Sequence, residues 1–210
     1  MQQDLHSELS VVCGDVSRET YAFLLEYQSM FLQWNQRINL IAPSTEKSFW
    51  SRHILDSAQL MRFDPQRRSS WVDLGSGGGL PGMVIGILLR DGTGHVTLVE
   101  SNRKKTAFLH AVRAATGAKV SVLSERIEDA VIHVKQPDLV TARALAPLDR
   151  LLDLSFPLFG PDTRALFPKG RGYKREIEES GRNWDYDLVE HASAVDDDSV
   201  VLEISRPVRR

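Results

Sequence analysis

A single cysteine, Cys13, leaves the chain without an internal disulfide and without a cysteine-only zinc cage. No metal site is expected. Long apolar runs are missing too. The most apolar stretch, 80–89, is broken by Pro81, Gly82 and Gly86, whereas a membrane-spanning helix needs roughly 20 apolar residues. The N-terminus carries Asp4, His6 and Glu8 where a secretory signal needs a basic start and an apolar centre. These absences predict a reducing, cytoplasmic setting away from any membrane. There is no internal repeat and no low-complexity tract. Charge of one sign is lacking as well: 26 Lys and Arg against 28 Asp and Glu leave a net charge of −2. Taken as a sum, that balance argues against a nucleic-acid binder, whose usual footprint is strongly basic. What is present is ordinary globular composition, 42% hydrophobic and 26% charged over 210 residues. A long disordered chain is excluded, and one domain with or without an extension fits the length.

The first 68 residues read as helical. Phe23, Tyr27, Met30, Phe31 and Trp34 recur at helical spacing behind Ser17, a suitable N-cap. Pro43 separates a second helix, capped by Ser44 or Ser48, that runs through Trp50, Ile54, Leu55 and Leu60. The large aromatics here are expected in the core. From Ser69 the pattern changes to short strands alternating with helices: 71–74, 95–100, 119–123, 138–141, 164–167 and 200–204, with helices over 80–89, 102–116 and 148–154. Such alternation predicts a parallel, doubly wound α/β sheet. The division is therefore a helical extension, 1–68, packed on a domain of 69–210.

The strongest local signal is the segment 73–82, Asp-Leu-Gly-Ser-Gly-Gly-Gly-Leu-Pro-Gly, between the first strand and its helix. Read from Gly77 it is G-x-G-x-x-G, a dinucleotide fingerprint. Read from Asp73 it is D-x-G-x-G-x-G, the first motif of S-adenosylmethionine (SAM) methyltransferases. In both, Gly75, Gly77 and Gly79 permit positive φ and close backbone approach. Asp73 separates the two. A pyrophosphate over the helix N-terminus is repelled by a carboxylate, whereas the ammonium and sulfonium of SAM are attracted to it. Glu100, ending the second strand, can take ribose hydroxyls of either cofactor. After the third strand, Glu125 and Glu128 read either as acids near a helix N-terminus, with Ser124 as cap, or as an acceptor for an adenine amine with Ile127 against the ring.

Taken in order, Asn39-Leu40, Arg52-His53-Ile54-Leu55-Asp56-Ser57, Asp73 to Gly82 ending Gly-Leu-Pro-Gly, Ala142-Arg143-Ala144 and Lys169-Gly170 closely resemble the bacterial small-subunit (16S) ribosomal RNA guanine-N7 methyltransferase family, also called the glucose-inhibited division protein B family. The resemblance covers residues 20 to 170. It implies a class I SAM-dependent, Rossmann-like methyltransferase fold. It also implies methylation at N7 of one guanine in the decoding region of 16S rRNA, with naked RNA or a small-subunit particle as partner. The family's cofactor contacts fall on Gly75, Leu80, Ile127, Glu128 and Arg143. The chain departs from the family in three places. It has Gly-Ser-Gly-Gly-Gly for Gly-Thr-Gly-Pro-Gly, where Ser76 keeps the hydroxyl and Gly78 is expected to loosen the turn. It has Ile41 for a threonine and Ala142 for a serine.

Guanine N7 has an in-plane lone pair and no proton, so that chemistry implies no general base. Asn39 and Arg143 are candidates for positioning the substrate, Asn39 doubling as a helix C-cap and Arg143 as a cap or a SAM-carboxylate contact. Arg52 and Asp56, four apart, should pair along one helix face, as should His53 and Ser57, bracing the helices against the glycine turn. RNA contact is assigned to Arg52, Lys169 and Arg171. Basic clusters at 62–68, 103–105 and 164–175 oppose an acidic stretch, 185–198, so the net charge can hide segregation. Two other readings stay open: a SAM-dependent methyltransferase of a small molecule or protein, and a nicotinamide-binding oxidoreductase. The chain is expected to be a monomer.

Overall fold

The computed structural model describes residues 4–210. Asp4 caps α1 (Leu5–Cys13), its carboxylate accepting from the N–H groups of His6 and Ser7. Ser17 caps α2 (Arg18–Ile38) as its hydroxyl accepts from the Thr20 N–H at 3.1 Å. The helix ends at Asn39, which takes the left-handed conformation at φ 48°. Its aromatic stripe enters the core as predicted. Tyr27 and Phe31 are fully buried against Phe49 and Phe108, the Phe31–Phe49 ring centres lying 4.7 Å apart.

The second helical stretch departs from the regular helix the sequence predicts. It is a relay of a 3₁₀ turn (Pro43–Ser48), a π-helical stretch (Trp50–Leu55), the short α3 (Asp56–Ala58) and a further 3₁₀ turn (Gln59–Phe63). Neither Ser44 nor Ser48 caps it. Ala42 precedes it, and Pro43 takes the first position, where an N–H has no intrahelical partner anyway.

The remainder alternates strand and helix. The elements are β1 (Ser70–Leu74), α4 (Gly82–Leu88), β2 (His95–Val99), α5 (Arg103–Thr116), β3 (Val120–Leu123), α6 (Ile127–Ala130), β4 (Leu139–Thr141), α7 (Leu148–Ser155), β5 (Arg164–Lys169), α8 (Tyr173–Ser180), β6 (Trp184–Ala192) and β7 (Val200–Arg209). They form one seven-stranded sheet in the order β3-β2-β1-β4-β5-β7-β6. The first five strands are parallel. β7 and β6 are antiparallel, so the all-parallel expectation fails at this edge. Side chains alternate across β1. Trp71 joins the core shared with α1, α2 and the 43–63 segment, while Val72 and Leu74 join the core under α7 on the other face. The first of these cores runs from Leu9 to Val201 and so crosses residue 68. Because β2 and β4 flank β1, the strand order reverses at β1, the point where a crevice opens outside the strands' carboxyl ends in such sheets. No helix among the described residues is long and apolar enough to cross a membrane.

Candidate functional site

The glycine turn leaves β1 at this switch point. Gly75, Gly77 and Gly79 have φ of 66°, 57° and 92°, a region that side chains with a Cβ rarely adopt. Asp73 is fully buried beneath the turn. Its Oδ2 accepts from the Gly82 N–H at 3.2 Å, and a Cβ on Gly82 would stand 2.6 Å from that oxygen. The other oxygen, Oδ1, is buried with no partner among the described residues. Burial pushes the Asp73 carboxyl up to about 7, with the Ser76 hydroxyl and the Gly82 N–H pulling the other way. Glu100 holds the turn from β2. Its Oε2 accepts from the Gly77 N–H at 2.9 Å and its Oε1 from the Asn102 N–H at 2.7 Å.

Gly78 does not loosen the turn. Tyr27 donates its hydroxyl to the Gly78 carbonyl at 2.8 Å, and Phe31 packs so closely that a Cβ at Gly78 would stand 2.4 Å from the ring. Helix α2 therefore pins the turn from below. Asn35, which the sequence reading passed over, shapes the adjoining loop. Its Oδ1 accepts from the N–H groups of Leu40 and Ile41 at 2.6 and 2.9 Å, and its amide donates to Glu46.

A cleft of about 1120 Å³ lies over the turn. Gly75, Gly77 and Leu80 form its floor; Arg52, His53 and Asp56 form one wall; Arg143 and the loop to Pro147 form another. Lys105, Lys169 and Asp196 also reach it. Arg143 follows β4 and crosses to the π-helical segment. It donates through Nη1 to Asp56 Oδ2 at 2.9 Å and to the Arg52 carbonyl at 3.2 Å, and through Nη2 to His53 Nδ1 at 2.9 Å. A guanidinium only donates, so His53 Nδ1 is the acceptor and Nε2 carries the proton, directed at Thr45 Oγ1 at 3.2 Å. Burial, with Arg143 and Arg52 adding to it, pushes the His53 imidazole down to about 4. Asp56 Oδ1 accepts from Gln59, whose own carbonyl oxygen accepts from the Ala194 N–H. The expected Arg52–Asp56 pair is thus replaced by Arg143–Asp56, and Ser57 donates to the His53 carbonyl rather than pairing with the ring. The stretch 50–55 is π-helical, with hydrogen bonds running i to i+5, and Arg143, coming from the end of β4, occupies Asp56 instead.

The family described as rRNA small subunit methyltransferase G matches residues 20–199. The chain belongs to this family. The protein named "Ribosomal RNA small subunit methyltransferase G" in Chelativorans sp. strain BNC1 is 50% identical over 206 residues, covering 98% of each chain. Its namesake in Bartonella henselae is 48% identical over 202 residues, 96% of this chain and 94% of that one. Among solved structures, a TehB-like SAM-dependent methyltransferase from Corynebacterium glutamicum superposes with a TM-score of 0.57 at 14% identity, covering 85% of this chain and 98% of that one. The fold is accordingly class I, Rossmann-like.

Within this member of the family, the structure gathers part of the residue set the sequence singles out. Gly75, Gly77, Leu80, Arg52, Arg143 and Lys169 line the cleft. Asp73 and Glu100 act on it through the turn, and Gly79 lies below, against Met83 and Leu109. Asn39 is exposed outside the cleft lining as the C-cap of α2. Ile127 packs on the α7 side of the sheet at the start of α6, which Arg126 rather than Ser124 precedes. Glu128 pairs there with Arg150 at 2.9 Å. Arg171 is exposed and donates through Nε to Asp198 at 2.9 Å. Lys169 donates to the Ala146 carbonyl and to Glu176. Lys105, Gln59, Glu176 and the 144–147 loop were not singled out. Only Lys105 left a trace in the sequence, within the basic start of α5.

Proposed function

We propose that this chain transfers a methyl group from SAM to N7 of one guanine in the decoding region of 16S ribosomal RNA, acting as a monomer in the cytoplasm. One observation carries the reading in this family member: the glycine turn, Arg143 and the cations Arg52 and Lys105 share a single cleft at the switch point of the sheet. The residues suit SAM. Asp73 Oδ1, with no partner among the described residues, favours a cationic ligand, and the positive-φ glycines let a ligand come close to the backbone. The Gly82 N–H, where a dinucleotide's pyrophosphate would dock, is already taken by Asp73. Asp73, Gly75, Gly77, Gly79, Leu80 and Glu100 would hold the cofactor. Ile127 and Glu128 are assigned to its adenine on the resemblance, Glu128 exchanging Arg150 for the ligand. When bound, SAM supplies an electrophilic methyl group.

The chain has no proton to remove from guanine N7. His53 is neutral, with Nδ1 filled by Arg143 and Nε2–H turned to Thr45, so it offers no free base. What remains for the protein is alignment of the reacting groups and fixed electrostatics over the cleft. Arg52 and Arg171, with Lys105, are assigned to RNA phosphates. The 1–68 helices serve as an extension that completes the wall of the site. The test is small-subunit RNA, naked and in particles, incubated with the purified chain and SAM, then cleaved by borohydride and aniline at 7-methylguanosine. A single new cleavage in the decoding region is expected. Methyl incorporation without that cleavage would move the activity to another substrate, and calorimetric binding of NAD in place of SAM would overturn the cofactor.

A further inference from the structure

We propose that Lys169 and Glu176 are positioning residues for the transfer, clamping the 143–147 loop over the glycine turn, and that Lys169 does not contact RNA phosphate. The inference rests on the methyltransferase reading and deepens it. Lys169 ends β5 at the cleft, yet its ammonium turns back into the protein. Nζ donates to the Ala146 carbonyl at 3.0 Å and to Glu176 Oε2 at 2.7 Å, and only 10% of the side chain is exposed. The same Glu176 oxygen accepts from the Leu148 N–H at 2.8 Å. One ion pair therefore joins β5, the first turn of α8 and the loop that enters α7.

That loop needs restraint. Ala144 sits at φ 53°, in the left-handed region that residues with a Cβ avoid. Leu145 rests on Gly75, where an added Cβ would come within 2.6 Å of Leu145 Cδ1. At its start the loop is held by Arg143 on Asp56 and His53; at its end Lys169 and Glu176 supply the charged anchors seen among the described residues. In a reaction that depends on alignment, a small displacement of a cleft wall lowers the rate far more than it lowers binding. A lysine already paired and mostly buried gives little to a phosphate, because reaching one would mean giving up both Glu176 and the Ala146 carbonyl.

The experiment compares wild type, Lys169→Met, Glu176→Gln and the double variant. It measures single-turnover methylation at saturating RNA, RNA affinity against KCl concentration, and amide exchange over residues 143–148. Both single variants are expected to lose at least tenfold in the saturated rate. They should keep the wild-type salt slope and exchange loop amides faster. The double variant should be no slower than the slower single, since one unit is being broken. A Lys169→Met salt slope shallower by about 0.7–0.9 is the mark of a lost phosphate contact and overturns the proposal, as does a wild-type rate in Glu176→Gln. Glu176→Gln is close to isosteric and carries the test alone should Lys169→Met not fold. If the wild-type chain methylates no small-subunit RNA, the substrate reading fails by itself. Amide exchange then decides the clamp, and unchanged loop exchange in Glu176→Gln overturns it.

Discussion

A methyl group at Gly78 would have nowhere to go. Its φ is not positive, so the demand for glycine there comes from packing alone: the Phe31 ring occupies the space. Gly78→Ala should lower stability by about 1–3 kcal/mol, the usual range for overpacking. Urea unfolding would measure it, and Phe31→Leu in the same chain should restore part of the loss. His53 makes a different residue-scale prediction. Its folded value near 4 lies below the ordinary 6.5, so as pH falls below about 6.5 the unfolded chain takes up the proton first. Stability is lost through the window from 6.5 to 4 and is untouched above it. Urea midpoints at pH 7, 5.5 and 4.5 should fall less steeply for His53→Gln than for wild type. The methylation rate, in contrast, should show no histidine limb between pH 6 and 8; a limb in wild type that vanishes in His53→Ala would make His53 a proton carrier after all. Gly75, Gly77 and Gly79 were legible beforehand because their spacing expresses a backbone demand that glycine alone meets. Glu176 was not, because the backbone N–H it holds, that of Leu148, lies 28 residues away; Asn35 was not, because its bonds to the Leu40 and Ile41 N–H groups form only where the chain turns back at the left-handed Asn39.

The element that misled the sequence reading most is the stretch 43–63. Its apolar positions fit an α-helix, and the π-helical turns leave no periodic signature in so short a segment. The expected pairing of Arg52 with Asp56 assumed 3.6 residues per turn, and Asp56 is held by Arg143 instead. β6 was missed on other grounds. Trp184, Tyr186 and Leu188 alternate inward, but Asp185, Asp187 and Glu190 between them read as an acidic tail. Those charges sit on an edge strand, where they discourage pairing with another chain. The parallel strands were easier to read, being short apolar runs punctuated by turns and helices. At this scale the Arg143–Asp56 bridge is one tie between the 43–63 segment and the sheet, beside the Arg164 bond to the Phe63 carbonyl, and both of its side chains are largely buried. Asp56→Asn should lower stability by about 2 kcal/mol, the worth of a charge-assisted hydrogen bond left unmatched. It should also reduce methylation at least tenfold, with SAM affinity changed less than the rate. A melt together with single-turnover kinetics checks both, and an unaltered rate would show that the bridge serves folding alone.

Across the whole molecule, the net charge of −2 hides no clean segregation. Asp56, Glu176 and Asp196 share the cleft with Arg52, Lys105, Arg143 and Lys169. Asp198 pairs with Arg171, so the expected opposition of the 185–198 stretch to the basic clusters fails there. Two acidic side chains of β6 are matched at the edge of the sheet: Asp187 pairs with Arg206 and Asp185 with Arg210, away from the cleft. Arg52 and Lys105 stand in the cleft, while Arg171, exposed just past β5, pairs with Asp198. Phosphate attraction depends on the local field and not on the sum, so RNA binding should weaken steeply with salt in spite of the overall balance. Three phosphate contacts give a log–log slope of about −2 to −3, at roughly 0.7–0.9 per contact. Arg52→Ala and Lys105→Ala should each remove one such step. Arg206→Ala changes the net charge by the same amount and should leave the slope unaltered, because its partner and its surroundings lie on the far edge of the sheet. Affinities measured over a range of KCl concentrations for these three variants separate a positioned basic cleft from a diffuse charge effect. Equal losses in all three would mean that the cleft cations act only through the total charge.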